Sequence, residues 1–325
     1  MAASRAPSSS LPKPELPTGL ARLSLAVQAV ARKLASESPA GDDQTDGLTL
    51  VVCRSAIPEI SDKQDIQEIP RHRVLEEPLP LAVMPNVSTL EASLAILLEE
   101  FPWASDAIHI LFDDLLGRAN LGVRDLTLPA TLLIGQPGAG KSRLARRIAE
   151  ELGLPRLDVS LSGSSDTKLL GGTSRGWGGG RPSDLASLFA RRRSASAIVM
   201  LDEIDKAHDG RREGGGIAAS LLPLLEPETA SRHCDNFLKT ECDFSRVSWI
   251  CTANRLTGIS KPLQSRLRIV LIPQPRREDL PNVCAGVIAE LEQRWHLPPR
   301  QHPISRRTAH RRHSSRQRTA GSCRD

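Results

Sequence analysis

Apolar residues recur along this chain with two different periods. Between 88 and 120 they fall at helical spacing, first Leu90, Leu94, Leu97 and Leu98, then Ile108, Leu111, Phe112 and Leu115. Each set lines one face of a helix, so two helices are predicted there. From 131 onward the pattern changes to short apolar runs: TLLI at 131–134, LDVSL at 157–161, AIVML at 197–201, VSWICT at 247–252 and RIVLI at 268–272, with helix-like stretches between them. Strands covered on both faces read as continuous apolar runs, and the intervening helices supply the crossovers that parallel pairing needs. The pattern predicts an α/β domain with a central parallel sheet flanked by helices.

The two ends of the chain lack this regularity. Residues 1–19 are rich in Ser and Pro, LARLSLAVQAVARKLA at 20–35 has an amphipathic helical pattern, and 36–87 mix Pro and acidic residues around one strand candidate, LTLVVC at 48–53. Residues 1–87 are therefore expected to form a loosely structured, partly disordered leader and linker region with some helix. EDLPNVCAGVIAELEQRW at 278–295 predicts a helix with Val283, Val287, Ile288 and Leu291 on its apolar side. Residues 300–325 hold no Leu and a single Ile, the composition of a disordered tail. The regular domain is thus expected over 88–275, with a partial helical piece at 276–299.

Composition narrows the function classes. Hydrophobic residues make up 39% of the 325 and charged residues 25%, and no apolar run approaches the roughly 18 residues that would span a membrane. Six scattered cysteines include no C-x-x-C pair, so neither a zinc site nor a disulfide framework is suggested and a reducing, cytoplasmic setting is expected. The net charge of +5 invites a nucleic-acid reading. However, eight arginines against one aspartate lie in 300–325, which leaves the rest of the chain slightly acidic. No specific nucleic-acid partner is expected. Aromatic residues are only 3%, with no Tyr, so the core should be mostly Leu, Ile, Val and Ala.

The chemistry is concentrated after the first strand. GQPGAGKS, running through Gly135, Gln136, Pro137, Gly138, Ala139, Gly140, Lys141 and Ser142, follows TLLI and precedes the helical pattern KSRLARRIAEEL. In a G-x-x-x-x-G-K-[ST] loop between strand and helix, backbone N–H groups curl around phosphates and the helix N-terminus adds partial positive charge. Lys141 would reach the terminal phosphates of ATP, and the Ser142 hydroxyl would sit on Mg2+. AIVMLDE then places Asp202 and Glu203 at the carboxyl end of a buried strand, where open parallel sheets bind ligands. Asp202 can hold the Mg2+ through water, and Glu203 can orient and deprotonate an attacking water.

In sequence order and spacing, GQPGAGKS, LDEIDKAHDG, LLPLLEPETA, VSWICTAN and LQSRLR resemble the AAA+ ATPases, and most closely the ATPase module of the Lon proteases. The similarity covers about 95–295. It implies that Asn254 acts as a sensor of the terminal phosphate or the lytic water. Arg266 would be the arginine finger offered to a neighbouring copy in a homo-oligomeric ring, and Trp177, in GGTSRGWGGGRPSD, a pore-loop residue that grips an extended polypeptide client. HDGRREGGG at 208–216 corresponds to a second pore loop. Lon enzymes continue into a full lid and a protease domain with a Ser-Lys dyad. No lysine follows Lys261 in this chain, so proteolysis is not expected. Two function classes follow from these residues: an ATP-hydrolysing remodeller of a protein client, or a nucleotide-gated binding module with little turnover.

Overall fold

The computed structural model describes residues 47–59, 68–160, 168–175, 180–206 and 217–296. Five strands form its central sheet: β1 (Thr131–Ile134), β2 (Arg156–Ser160), β3 (Ala197–Asp202), β4 (Val247–Ala253) and β5 (Arg268–Leu271). All pairings are parallel and the spatial order is β2-β3-β4-β1-β5. The first strand of the domain therefore lies between the last two. Its carboxyl end opens beside that of β4, with β3 one strand further on.

The apolar runs become strands because both faces of the sheet are covered. All seven residues of β4 and all four of β1 are buried. Successive residues of β3 face opposite layers, as pleating requires. Val199 and Leu201 join Phe189 and Trp249 on one side, while Ile198 and Met200 join Ile148 and Phe112 on the other. The second layer holds α1 (Val87–Glu100), α2 (Ser105–Asn120) and α3 (Lys141–Glu151). The anticipated stripe of α2, Ile108, Leu111, Phe112 and Leu115, is fully buried. α1 starts at Asn86, whose side chain accepts the Thr89 N–H at 2.8 Å and satisfies one of the helix's open donors. The aliphatic core expected from composition is completed by all five phenylalanines of the chain, each at most 1% exposed.

The longer of the further helices among the described residues are α4 (Asp184–Arg192), α5 (Ile217–Leu225), α6 (Lys261–Arg266) and α7 (Leu280–Arg294). Of the region before 88, the described parts are folded onto the domain. Val52, Ile57, Ile69, Leu75 and Leu79 are buried in the same layer as Phe189 and Phe244. LTLVVC gives only a two-residue strand, Thr49–Leu50, paired with Leu79–Pro80, and a single bridge between Cys53 and Cys242. These apolar residues are too widely spaced to show a period, yet each one fills a place against the domain. The expectations for 1–46 and 300–325 lie outside the described residues. Among the described residues no helix is long and apolar enough to cross a membrane.

Candidate functional site

The glycine loop begins where β1 runs out of lateral room. Gly135 continues the strand, donating its N–H to the Ala253 carbonyl at 3.2 Å, while the Ile272 amide donates to Ile134 at 2.7 Å. A Cβ on Gly135 would lie 2.2 Å from the Ile272 carbonyl oxygen, so no larger residue fits between the two neighbouring strands. Beyond it Gly138 and Gly140 take φ of 82° and 85°, the left-handed region that glycine enters without steric cost. Gly140 is the N-cap of α3 and supplies no side-chain acceptor. The first turn of an eleven-residue helix thus meets the loop with no side chain capping it.

Lys141 is 8% exposed. Its ammonium donates to the Gly135 carbonyl at 2.8 Å, the Gln136 carbonyl at 3.0 Å and Asn254 Oδ1 at 3.0 Å. Burial pulls its pKa below the ordinary lysine value, partly opposed by the nearby charges of Asp202, Asp205 and Glu203. Next to it the Ser142 hydroxyl donates to Asp202 Oδ1 at 2.8 Å. The loop, the end of β3 and the end of β4 therefore meet in one polar cluster containing Lys141, Ser142, Asp202 and Asn254.

Thr252 organises this cluster, although the sequence reading passed over it. Its hydroxyl donates to Asp202 Oδ1 and accepts the Glu203 N–H at 3.1 Å. That contact holds Glu203 at φ 60°, a left-handed conformation that costs a non-glycine residue about 1 kcal/mol or more. The Glu203 carboxylate pairs with the Lys206 ammonium at 2.5 Å. Asp205 anchors the opposite wall, where its Oδ2 accepts the Asn254 and Arg255 amides at 3.1 and 3.3 Å. Its Oδ1 is buried and has no hydrogen-bond partner among the described residues. A hydroxyl closing the apolar run VSWICT was the sign the sequence offered of Thr252.

Trp103 was also missed. Its indole N–H donates to the Ala139 carbonyl at 3.0 Å, and its ring lies 3.4 Å from where a Cβ on Gly140 would be. An aromatic residue 36 positions before Ala139 carries no motif. Arg266 stands apart from the cluster: it ends α6, ion-pairs with Glu226 at 2.5 Å and donates to the Pro262 carbonyl. Trp177 and the loop at 208–216 lie outside the described residues.

A phosphate chain and a divalent cation fit these residues. The buried ammonium is hydrogen-bonded to neutral oxygens, the capless helix end offers amides, and the hydroxyl and carboxylate of Ser142 and Asp202 are already in contact, as two ligands of one hard cation would be.

Residues 131–274 match the family described as "ATPase family associated with various cellular activities (AAA)". Among curated proteins, the Lon protease of Paraburkholderia phytofirmans is 33% identical over 185 residues, 56% of this chain and 22% of that protein. The mitochondrial Lon protease homolog of Debaryomyces hansenii is 34% identical over 42% of this chain and 13% of its own length. The Lon protease of Chloroflexus aggregans aligns over 82% of this chain at 26% identity, 34% of that protein. The chain thus spans about a third or less of each of these relatives. Among solved structures, a closed-state reconstruction of Hsp104 with ATPyS and FITC casein superposes with a TM-score of 0.50 at 19% identity, covering 64% of this chain and 39% of that one. That likeness is one of fold.

The hydroxyl of Thr252 provides the structural test of the cluster. Thr252→Val preserves shape but removes the group between Asp202 and the Glu203 amide. The urea midpoint should fall by the equivalent of about 1–3 kcal/mol at unchanged slope, the cost of leaving a buried donor unmatched. An unchanged midpoint would show that Glu203 holds its conformation without the hydroxyl.

Proposed function

Residues 131–274 of this chain form an AAA+ ATPase module similar to that of the Lon proteases, and from that premise we propose that the protein hydrolyses ATP with Mg2+ to remodel or unfold a protein client within a homo-oligomeric ring. The observation that carries the proposal is the buried Lys141 ammonium, held by the Gly135 and Gln136 carbonyls and Asn254 beside the Ser142–Asp202 contact.

On this reading the loop amides of 138–142 and the N-terminus of α3 cradle the phosphates, and Lys141 transfers its hydrogen bonds from carbonyls to the β- and γ-phosphates. Ser142 and Asp202 would hold Mg2+, which supplies neutralising charge to the phosphate oxygens when bound. Glu203 leaves Lys206 to orient water and accept its proton. Asn254, with an amide that both donates and accepts, fits between phosphate and water. Arg266 leaves Glu226 for the nucleotide of a neighbouring copy, where its guanidinium stabilises charge on the transferred phosphoryl. Trp177 contacts the client.

A second reading, a nucleotide-gated binding module with little turnover, draws on the same Glu203–Lys206 ion pair, which occupies the proposed base. Two variants separate these readings. Lys141→Ala should lower ATP affinity at least 100-fold, whereas Glu203→Gln should bind ATP within a few-fold of wild type and lose about 10²–10⁴-fold in kcat. Titration calorimetry and steady-state turnover measure the two. Equal ATP affinity in wild type and Lys141→Ala would remove the nucleotide assignment, and equal turnover in wild type and Glu203→Gln would favour the module.

Sharing of the site between copies is read from a dilution series. Specific activity should rise with protein concentration, and Arg266→Ala should flatten that rise, costing roughly 10³-fold in turnover with ATP binding intact. Activity per subunit that is constant on dilution and indifferent to Arg266→Ala would mean that each copy works alone.

The client contact is tested at Trp177. Trp177→Ala should leave basal turnover within about two-fold of wild type and abolish stimulation by an unfolded protein such as casein, since such a loop touches client and not nucleotide. If the variant instead loses several kcal/mol of stability, as a truncated core Trp does, the residue is part of the packing and not a client contact.

A further inference from the structure

The last helix docks on the domain in a way its sequence did not suggest. The apolar stripe of α7 was expected to bury Val283, Val287, Ile288 and Leu291, yet Val287 is 46% exposed while Gly286 is buried. The group that meets α7 at Gly286 is a guanidinium. A Cβ on Gly286 would lie 1.7 Å from Arg143 Nη2, so the missing side chain is what makes room for the arginine.

Arg143 stands immediately after Lys141 and Ser142 on α3, and its side chain is only 11% exposed. Its Nε donates to Glu290 of α7 at 2.9 Å, its Nη2 donates to Glu100 at the end of α1, and its Cζ lies 4.7 Å above the Phe101 ring. Phe101 meets Trp103 edge-on at 5.5 Å, and Trp103 donates to the Ala139 carbonyl inside the glycine loop. A second contact to that loop comes from the chain leading into α7, where Gln274 donates to the Pro137 carbonyl at 3.4 Å. Asn282 of α7 donates to the Glu99 carbonyl at 2.6 Å. One arginine thus joins the nucleotide-loop helix, the end of α1 and α7. A largely buried charge with several partners tolerates the loss of any one of them poorly.

We propose that Arg143, seated on Gly286, is a positioning residue that couples docking of α7 to the shape of the glycine loop, so that ATP binding and helix docking favour each other. The proposal rests on reading the loop as an ATP site. Coupling of this kind is reciprocal: undocking α7 weakens ATP by the same factor by which ATP strengthens docking.

Gly286→Ala in the full chain is the discriminating variant. Glycine to alanine inside a helix ordinarily stabilises, but here the new methyl must displace the arginine, the flexible partner in the clash. Hydrogen exchange across 280–294 should accelerate, and the Kd for Mg-ATP should rise about 10-fold, within the usual range of such couplings. Arg143→Ala should do the same, and the double variant should be no weaker than Arg143→Ala alone, because both changes empty one seat. Glu290→Gln, which adds no bulk, should shift exchange and Kd in the same direction by a smaller factor. Additive losses in the double variant, or faster exchange with unchanged ATP affinity, would overturn the coupling. Wild-type exchange and affinity in Gly286→Ala would overturn the seat as well. A wild-type chain that binds no Mg-ATP would overturn the nucleotide reading and the coupling with it, leaving the exchange comparison to report on the seat alone.

Discussion

An ammonium group taken out of water must be surrounded by oxygens, and the position of Lys141 shows how much of the molecule that demand governs. Two of its three partners are carbonyls of the loop's own first residues, Gly135 and Gln136, so the loop has to fold back over the lysine. The third is Asn254, which requires β4 to end level with β1. That level is set by the parallel register, in which Ile134 pairs with Ala253 and Leu271. Gly135 then has to pass under the Ile272 carbonyl, where no side chain fits. The charge thus fixes a loop, the loop fixes a strand register, and the register brings Asp202 to Ser142.

Much of this was legible in the chain because each requirement leaves a mark of its own. Buried strands need continuous apolar runs, and all five stand where the runs are, within a residue or two at each end. A loop that crowds backbone against backbone needs glycines at fixed offsets from a lysine. By contrast, Thr252, Asp205 and Trp103 work through one or two contacts each to backbone or carboxylate groups, and one hydroxyl, acid or indole has no spacing that distinguishes it from a structural residue. Their roles depend on what the register brings opposite them. Ile57, Ile69 and Leu75 escaped notice for a related reason: residues that each fill a separate gap show no period.

The α7 helix illustrates the converse error. Apolar periodicity located the helix, and Val283, Ile288 and Leu291 are half-buried, but Val287 is exposed and part of the contact is made by a guanidinium lying where a side chain is absent. Burial of a glycine leaves no trace in a hydrophobic pattern, and Arg143 reads in the sequence as one more charge in the run RLARR. Arg147 and Arg146 add to the same junction through Glu100 and Glu290 at 2.9 and 3.7 Å. Several guanidiniums sharing two carboxylates hold geometry better than separate pairs, since each acid is already ordered when the next partner joins it.

The groups proposed to bind nucleotide and those proposed to turn it over are held in physically different ways. Lys141 is buried and the Ser142 and Thr252 hydroxyls converge on Asp202, so their geometry is set before any ligand arrives. Glu203 and Arg266 instead end in ion pairs with Lys206 and Glu226 that are open to solvent, with side-chain exposures between 31 and 51%. Water and salt compete directly with pairs of that kind. Moving either group to a new partner therefore requires little, provided the new partner carries comparable charge and excludes water. The backbone of Glu203 remains fixed by Thr252 throughout, so only the carboxylate has to swing. Such a division favours a site whose binding groups stay near their places while their hydrogen bonds pass to the nucleotide, and which withholds its base and its arginine until a phosphate, or a neighbouring copy's nucleotide, competes for them.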